Sequence, residues 1–281
     1  MQGAINELIS ALVAQAEMSI PREEGDYIGE NGLLYCGKCH TPKQCVPVPE
    51  KPDFRPHCLC KCGLEQQMRE EKQRKKDDYL ADIVRNRKSG IADRKILDYT
   101  FENDKYPGSD ISVKLRKYCV EWEKAVDNNI GLLLWGNCGT GKTFYAGCIA
   151  NKLIDKGLRV LCTSIPKIIN GLYASENKNE YIRNIVEYPF LVLDDFGTER
   201  NTGYALEQLF TFVDERYRSN KPTIITTNLN PEAMRQTHSI EQKRIYSRIF
   251  EMCVPLRVNA SPQRMRAAEL KAELLSDILN S

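Results

Sequence analysis

IGLLLWGNCGTGKT, residues 130–143, is an apolar run that ends in glycine and passes at once into a glycine-rich turn and a lysine. Gly136, Asn137, Cys138, Gly139, Thr140, Gly141, Lys142 and Thr143 match the spacing G-x-x-x-x-G-K-[ST]. They lie between an expected strand and an expected helix, the setting this motif needs. Each part has a chemical reason. Glycines let the backbone wrap around phosphate oxygens, and its amides donate at the positive end of the following helix. Lys142 is placed to neutralise the β- and γ-phosphates of ATP, and the Thr143 hydroxyl to bind Mg²⁺.

Outward from this loop the chain supplies partners in order. FLVLDD (190–195) ends an apolar strand on two adjacent carboxylates, which packing does not explain. Asp194 is placed to hold Mg²⁺, directly or through water, and Asp195 to polarise the attacking water. PTIITTN (222–228) ends in Asn228, which can orient water against the γ-phosphate or serve as a plain turn residue at a strand end. RIYSRIF (244–250) carries Arg244 and Arg248 four apart on one helical face. Either can reach the ATP of a neighbouring subunit as an arginine finger. Arg264 and Arg266 begin the last expected helix, within reach of the subunit's own phosphates.

The fold class follows from the alternation of short apolar runs with helical stretches. Five runs read as strands: 130–136, 158–164, 190–195, 222–228 and 253–258. All are rich in Val, Ile and Leu, as strands covered on both faces are. Helices are expected over Lys142–Lys156, Pro166–Glu187 with a break near Glu176, Tyr204–Ser219, Ile240–Glu251 and Gln263–Leu279. The expectation is an α/β domain over 96–281, a doubly wound five-stranded parallel sheet. Before it come a helical lead-in (1–30), a cysteine-rich zone (31–65) and a polar stretch (66–95) with the composition of an exposed helical linker.

Bulk composition narrows the function classes. In 281 residues, 40 basic and 38 acidic side chains leave a net charge of +2, so any nucleic-acid contact must come from local patches. No apolar run approaches the roughly 20 residues that span a bilayer. The first residues lack a basic leader region and carry Glu7 and Glu17, so they read as an amphipathic helix, and the chain is expected to be cytoplasmic. Six of the eleven cysteines fall between Cys36 and Cys62. The other five, Cys119, Cys138, Cys148, Cys162 and Cys253, are expected to be packing residues. Cys36 and Cys39 form a C-x-x-C knuckle suited to presenting two thiolates to one tetrahedral Zn²⁺. His57, Cys58, Cys60 and Cys62 offer more ligands than that one ion needs.

The run FLVLDDFGTERNTGYALEQLFTFVDERYRSNKPTIITTNL, with the phosphate loop and RIYSRI, resembles the AAA+ ATPases of the DnaC and IstB type, over roughly residues 97–270. These are bacterial and phage helicase loaders, with transposase helper ATPases as close relatives. The resemblance implies that Lys142 and Thr143 are Walker A, Asp194 and Asp195 Walker B, and Asn228 sensor 1. It makes Arg248 the arginine finger of the S-R-[IL] box and Arg264 sensor 2, although SPQR departs from the usual ending and Arg266 is two residues away. TFEND (100–104) looks like the family's entry segment beside the adenine. A helical insertion before the Walker B strand lines a single-stranded DNA channel in this family. In the corresponding segment Lys167, Lys178 and Arg183 can meet phosphates and Tyr173 or Tyr181 can stack on bases, unless the tyrosines pack inward.

Loaders of this group resemble the chain in carrying an N-terminal zinc module that grips the helicase. The family-like C-K-C ending favours Cys36, Cys39, Cys60 and Cys62 as ligands, with Cys58 as substitute and Cys45 or His57 outside the set. The implied function is ATP-dependent loading of a replicative hexameric helicase onto single-stranded DNA, with self-assembly through the ATP sites and weak ATPase activity. The competing implications are a transposase helper ATPase and a nucleotide-controlled scaffold.

Overall fold

A computed structural model describes residues 22–46, 55–198 and 202–259, together with Leu275 and Ile278. The lead-in helix lies outside the described residues, as does the final helix apart from those two positions. Two compact units divide the chain, residues 1–78 and 79–281.

The first unit is small and contains a two-residue hairpin, β1 (Tyr27–Ile28) against β2 (Leu34–Tyr35), with Tyr27 opposite Tyr35. Single bridges pair Tyr35 with Pro42 and Gln44 with His57. Among the described residues, Leu33, Leu34, Cys36 and Cys60 are its buried residues of low polarity. So few apolar side chains cannot offset the ordering of this much loop, which is the usual reason for a metal in a unit this size. Helix α1 (Lys61–Gly90) begins here and continues into the second unit. It is polar on all sides, as expected of the 66–95 stretch, and carries exposed i,i+4 pairs such as Glu71 with Lys75 at 2.7 Å.

The second unit is built on five parallel strands: β3 (Gly131–Trp135), β4 (Val160–Ser164), β5 (Phe190–Phe196), β6 (Thr223–Thr227) and β7 (Cys253–Arg257). They lie in the order β4-β5-β6-β3-β7. Each corresponds to an expected run. The apolar runs are continuous because alternate residues serve opposite faces. Leu132 and Leu134 enter one core with Phe190, Val192 and Ile224; Leu133 enters the other with Leu191, Leu193 and Ile225. On the first face lie α2 (Arg94–Leu97), α3 (Asp110–Val120), α4 (Trp122–Asp127) and α5 (Lys142–Asp155), whose Leu115, Trp122, Ile149 and Leu153 fill that core. On the second lie α6 (Ile165–Ala174), α7 (Lys178–Val186), α8 (Gly203–Arg218), α9 (Pro231–Arg235) and α10 (Ile240–Met252).

Two features are absent from the sequence reading. Helices α2, α3 and α4 occupy a region in which no periodic pattern pointed to them. Arg216, on α8, is fully buried and has no carboxylate partner among the described residues. Its guanidinium donates to the carbonyls of Val186 and Tyr188, both at 2.7 Å, to the carbonyl of Pro222 and to the Thr223 hydroxyl, both at 2.8 Å. Burial lowers its pKa to about 9, and the carbonyl oxygens clamp the entries to β5 and β6 together.

Candidate functional site

The phosphate loop leaves β3 at Gly136, where a side chain is excluded because a Cβ would lie 2.6 Å from the carbonyl oxygen of Val258. Gly141 caps α5 with a φ of +93°, which turns the backbone into the helix at little steric cost. Lys142 is buried, and its ammonium donates to the carbonyls of Gly136 at 2.9 Å and Asn137 at 2.8 Å, arching over the loop. A cavity of about 260 Å³ opens here. It is lined by residues 138–145, by Asp195 and Asn228, and by Tyr99 and residues 103–105.

The two acids of β5 face different tasks because the strand is irregular between them. Its register against β6 shifts between Leu193 and Phe196, and Asp195 takes a φ of +55°. Asp194 Oδ1 accepts from the Thr143 hydroxyl at 2.9 Å and from the Thr226 hydroxyl at 2.6 Å. The same Thr226 oxygen accepts the Asp195 backbone N–H at 3.0 Å. One fully buried hydroxyl therefore holds both the Asp194 carboxylate and the Asp195 backbone. Burial pushes the Asp194 pKa up, the Thr226 hydroxyl pulls it back, and the Asp195 charge raises it further. The hydroxyl of Thr143 and the carboxylate of Asp194 are adjacent hard oxygen donors, which fits Mg²⁺.

Asn228 is exposed at the tip of β6 and lines the cavity with Asp195. Thr227 holds the turn behind it, donating to the Phe196 carbonyl at 2.8 Å and accepting the Leu229 N–H at 3.0 Å. Sequence reasoning passed over Thr226. The only available signal was the pair of consecutive threonines that ends the strand TIITT.

In the first unit, Cys36, Cys39, Cys60 and Cys62 come together with all four sulfurs within 4.8 Å of one another. Cys62 Sγ lies 3.5 Å from Cys36 Sγ and 3.4 Å from Cys60 Sγ. Ligands about 2.3 Å from a tetrahedral zinc are about 3.8 Å apart, so this all-sulfur, closed set fits Zn²⁺. Outer groups already orient the sulfurs: Gly63 N–H donates to Cys60 Sγ at 3.4 Å, and the Thr41 hydroxyl lies 3.1 Å from Cys39 Sγ. The Thr41 hydroxyl draws Cys39 down to about 5, while hydrogen bonds with Cys60 and then Cys36 push Cys62 up to about 12. Thiol protons are thus unevenly shared in a cluster that a metal would strip of them. Cys58 donates instead to the Pro42 carbonyl at 3.7 Å, and Cys45 is exposed. Of the five scattered cysteines, Cys119, Cys148, Cys162 and Cys253 are buried as expected. Cys138 is exposed at the phosphate loop, which corrects its reading as a packing residue: the loop turns away from both cores to receive a ligand.

The family model for IstB-like ATP binding proteins matches residues 60–270. The chain belongs to this family. It is an ATP-binding AAA+ protein, and its sheet order is typical of that class. Among curated relatives, the replicative helicase loader DnaI of Bacillus subtilis (strain 168) is 26% identical over 147 residues, covering 48% of this chain and 47% of DnaI. The replicative helicase loader DnaC of Escherichia coli (strain K12) is 28% identical over 127 residues, 43% of this chain and 50% of DnaC. The chain therefore spans about half the length of the curated relatives it matches. A crystal structure of DnaI superposes with a TM-score of 0.52 at 25% identity, over 61% of this chain and 94% of that one.

Against this family frame the remaining residues divide. Arg248 does not line the cavity of its own subunit. Its guanidinium donates to Asp214, which also holds Arg218 at 2.8 Å, and lies 4.8 Å from the Phe210 ring centre. Arg244 covers the same ring at 4.5 Å. Arg264 and Arg266 lie outside the described residues. In the segment before β5, Tyr181 turns inward: its ring packs against the second core and over Gly171. Tyr173 turns outward, 59% exposed, and lies 4.7 Å from the ring of Tyr204, which Lys178 covers at 5.1 Å. Tyr204 was not anticipated, because it comes from α8 and meets Tyr173 only through the packing of α6 on α8. Among the described residues no helix is long and apolar enough to cross a membrane.

Proposed function

We propose that this chain is an ATP-dependent loader that delivers a replicative hexameric helicase onto single-stranded DNA. The observation that carries the reading is the pairing, in one chain, of a complete ATP-binding unit with a separate four-thiol module. Among the described residues, the ATPase unit fills both of its cores from its own strands and helices. DnaI and DnaC, each matched over about half of its length, are both described as replicative helicase loaders.

In this reading Lys142 and the loop amides bind the triphosphate, and Thr143 and Asp194 hold the Mg²⁺ that neutralises it. Asp195 and Asn228 position the attacking water. Arg248 leaves Asp214 to reach the phosphates of a neighbouring subunit, so turnover is slow until subunits assemble on DNA. Arg264 completes the subunit's own site. Tyr173 and Tyr204 offer stacking surface to unpaired bases, with Lys178 beside them for the backbone. The zinc module of Cys36, Cys39, Cys60 and Cys62 grips the helicase.

The family's name also supports a transposase helper ATPase. Retention assays on the immobilised full-length chain separate the two. A loader retains a replicative hexamer, loses it in Cys36→Ser, and keeps ATP binding in that variant. Retention of a transposase with bending of duplex DNA, and no helicase bound, would overturn the loader reading.

A further inference from the structure

The nucleotide cavity is lined by Lys142 and its loop and also by Tyr99, Asn103, Asp104 and Lys105. With the triphosphate held by the loop, the remaining lining is available to the nucleoside. Asp104 is unusual there. Its Oδ1 accepts the backbone N–H of Tyr106 at 2.9 Å and the Tyr145 hydroxyl at 3.4 Å. Its Oδ2 is buried and has no hydrogen-bond partner among the described residues. A carboxylate oxygen in that position is costly unless a donor arrives, and an oxygen of a residue lining a ligand cavity is best supplied by the ligand.

The carboxylate is also held in place. Tyr145 is only 3% exposed and belongs to the first turn of α5, three residues after Lys142. Its hydroxyl lies 3.4 Å from both Asp104 Oδ1 and Ser109 Oγ. The helix that cradles the phosphates therefore also fixes the distance from phosphate to Asp104.

We infer that Asp104 is the base-specificity residue of the ATP site, with Oδ2 accepting the exocyclic 6-amino group of adenine. An ionised carboxylate is acceptor-only. Adenine presents a donor at its 6-position, whereas guanine presents an oxygen there and sets acceptor against acceptor. Guanine's own donors, N1–H and the 2-amino group, call for two carboxylate oxygens, and Oδ1 is already committed. The selectivity is a single hydrogen bond to a buried oxygen that no other protein group satisfies, the kind of contact whose loss penalises an analogue strongly.

The inference rests on the cavity being the nucleotide site, and the test keeps the two apart. Dissociation constants of the full-length protein with Mg²⁺ would be measured for ATP, GTP, purine riboside triphosphate, which lacks the amine, and 2′- and 3′-deoxy-ATP. The wild type should prefer ATP to GTP by roughly 10²-fold and to the amine-free analogue by at least about 10-fold. Asp104→Asn, whose amide can donate to guanine O6, should narrow the ATP-to-GTP ratio at least about 10-fold, and Tyr145→Phe should shift it less in the same direction. An unchanged ratio in folded Asp104→Asn would overturn the assignment. So would equal wild-type affinity for ATP and the amine-free analogue, or a larger loss with either deoxy-ATP, which would give Oδ2 to the sugar. If the wild type bound none of these triphosphates, the nucleotide reading itself would fail; binding without base discrimination defeats the role of Asp104 alone.

Discussion

Replacing Thr226 with valine removes one oxygen and nearly preserves shape, at a fully buried position 2.6 Å from Asp194 Oδ1 and 3.0 Å from the Asp195 amide. A hydrogen bond to an ionised carboxylate contributes about 1.5–3 kcal/mol, and an amide left without an acceptor costs about 1–3 kcal/mol. Since one hydroxyl serves both, a combined loss of about 3 kcal/mol is expected. For a unit of roughly 200 residues this lowers Tm by about 6–12 °C. The catalytic effect should exceed the effect on binding. Asp195 holds a φ of +55° at a register shift, and its amide bond to Thr226 helps keep it there. Displacement of a catalytic group by about 1 Å costs on the order of 10²-fold in rate. ATP affinity, set mainly by Lys142 and the loop, should change less than about 10-fold by the same distance argument. Thermal melting, nucleotide titration and steady-state ATPase measurements on Thr226→Val and Thr226→Ser would test this. Serine keeps the oxygen and should restore most of the activity. A valine variant with wild-type turnover and unchanged Tm would refute the claim that Thr226 positions the two acids.

Arg248→Ala should bind ATP normally yet lose DNA-stimulated hydrolysis, and mixing it with Lys142→Ala should restore part of the rate by joining a sound loop to a sound finger. Failure of every mixture, with assembly intact, would assign Arg248 a role within its own subunit beside Asp214. Asp26 accepts the Gly37 N–H at 3.0 Å inside the C-x-x-C knuckle, so Asp26→Ala, which removes the acceptor, should weaken zinc binding by about 10–100-fold in a chelator competition. The Lys43 ammonium, 2.7 Å away, holds the Asp26 carboxyl down at about 2. Because the folded value is the lower one, the contribution of Asp26 is present above the ordinary carboxylate range and fades only as pH falls towards 2. Wild-type zinc retention in Asp26→Ala at neutral pH would remove Asp26 from the module's support.

The residues that make phosphate chemistry possible were legible in the chain because their constraints are local. A loop that wraps phosphate needs glycines at fixed offsets and a lysine at its end, and five strands covered on both faces must be apolar without a break. The cysteine quartet was narrowed by spacing and resemblance, and the fold closed it by bringing α1's first turn to the knuckle while leaving Cys58 on a carbonyl. What required the tertiary structure is what depends on residues distant in sequence sharing one atom or one surface. Thr226 matters because β5 and β6 lie side by side with a shifted register, Arg216 because three elements end where its guanidinium is buried, and Tyr204 because α8 passes under α6. Asp104 closes the TFEND run that resembles the family's adenine-side segment, but it becomes a half-satisfied acceptor only where Tyr145 pins it to the nucleotide cavity. Sequence periodicity records which face a residue takes; hydrogen-bond satisfaction across elements is a property of the packed whole.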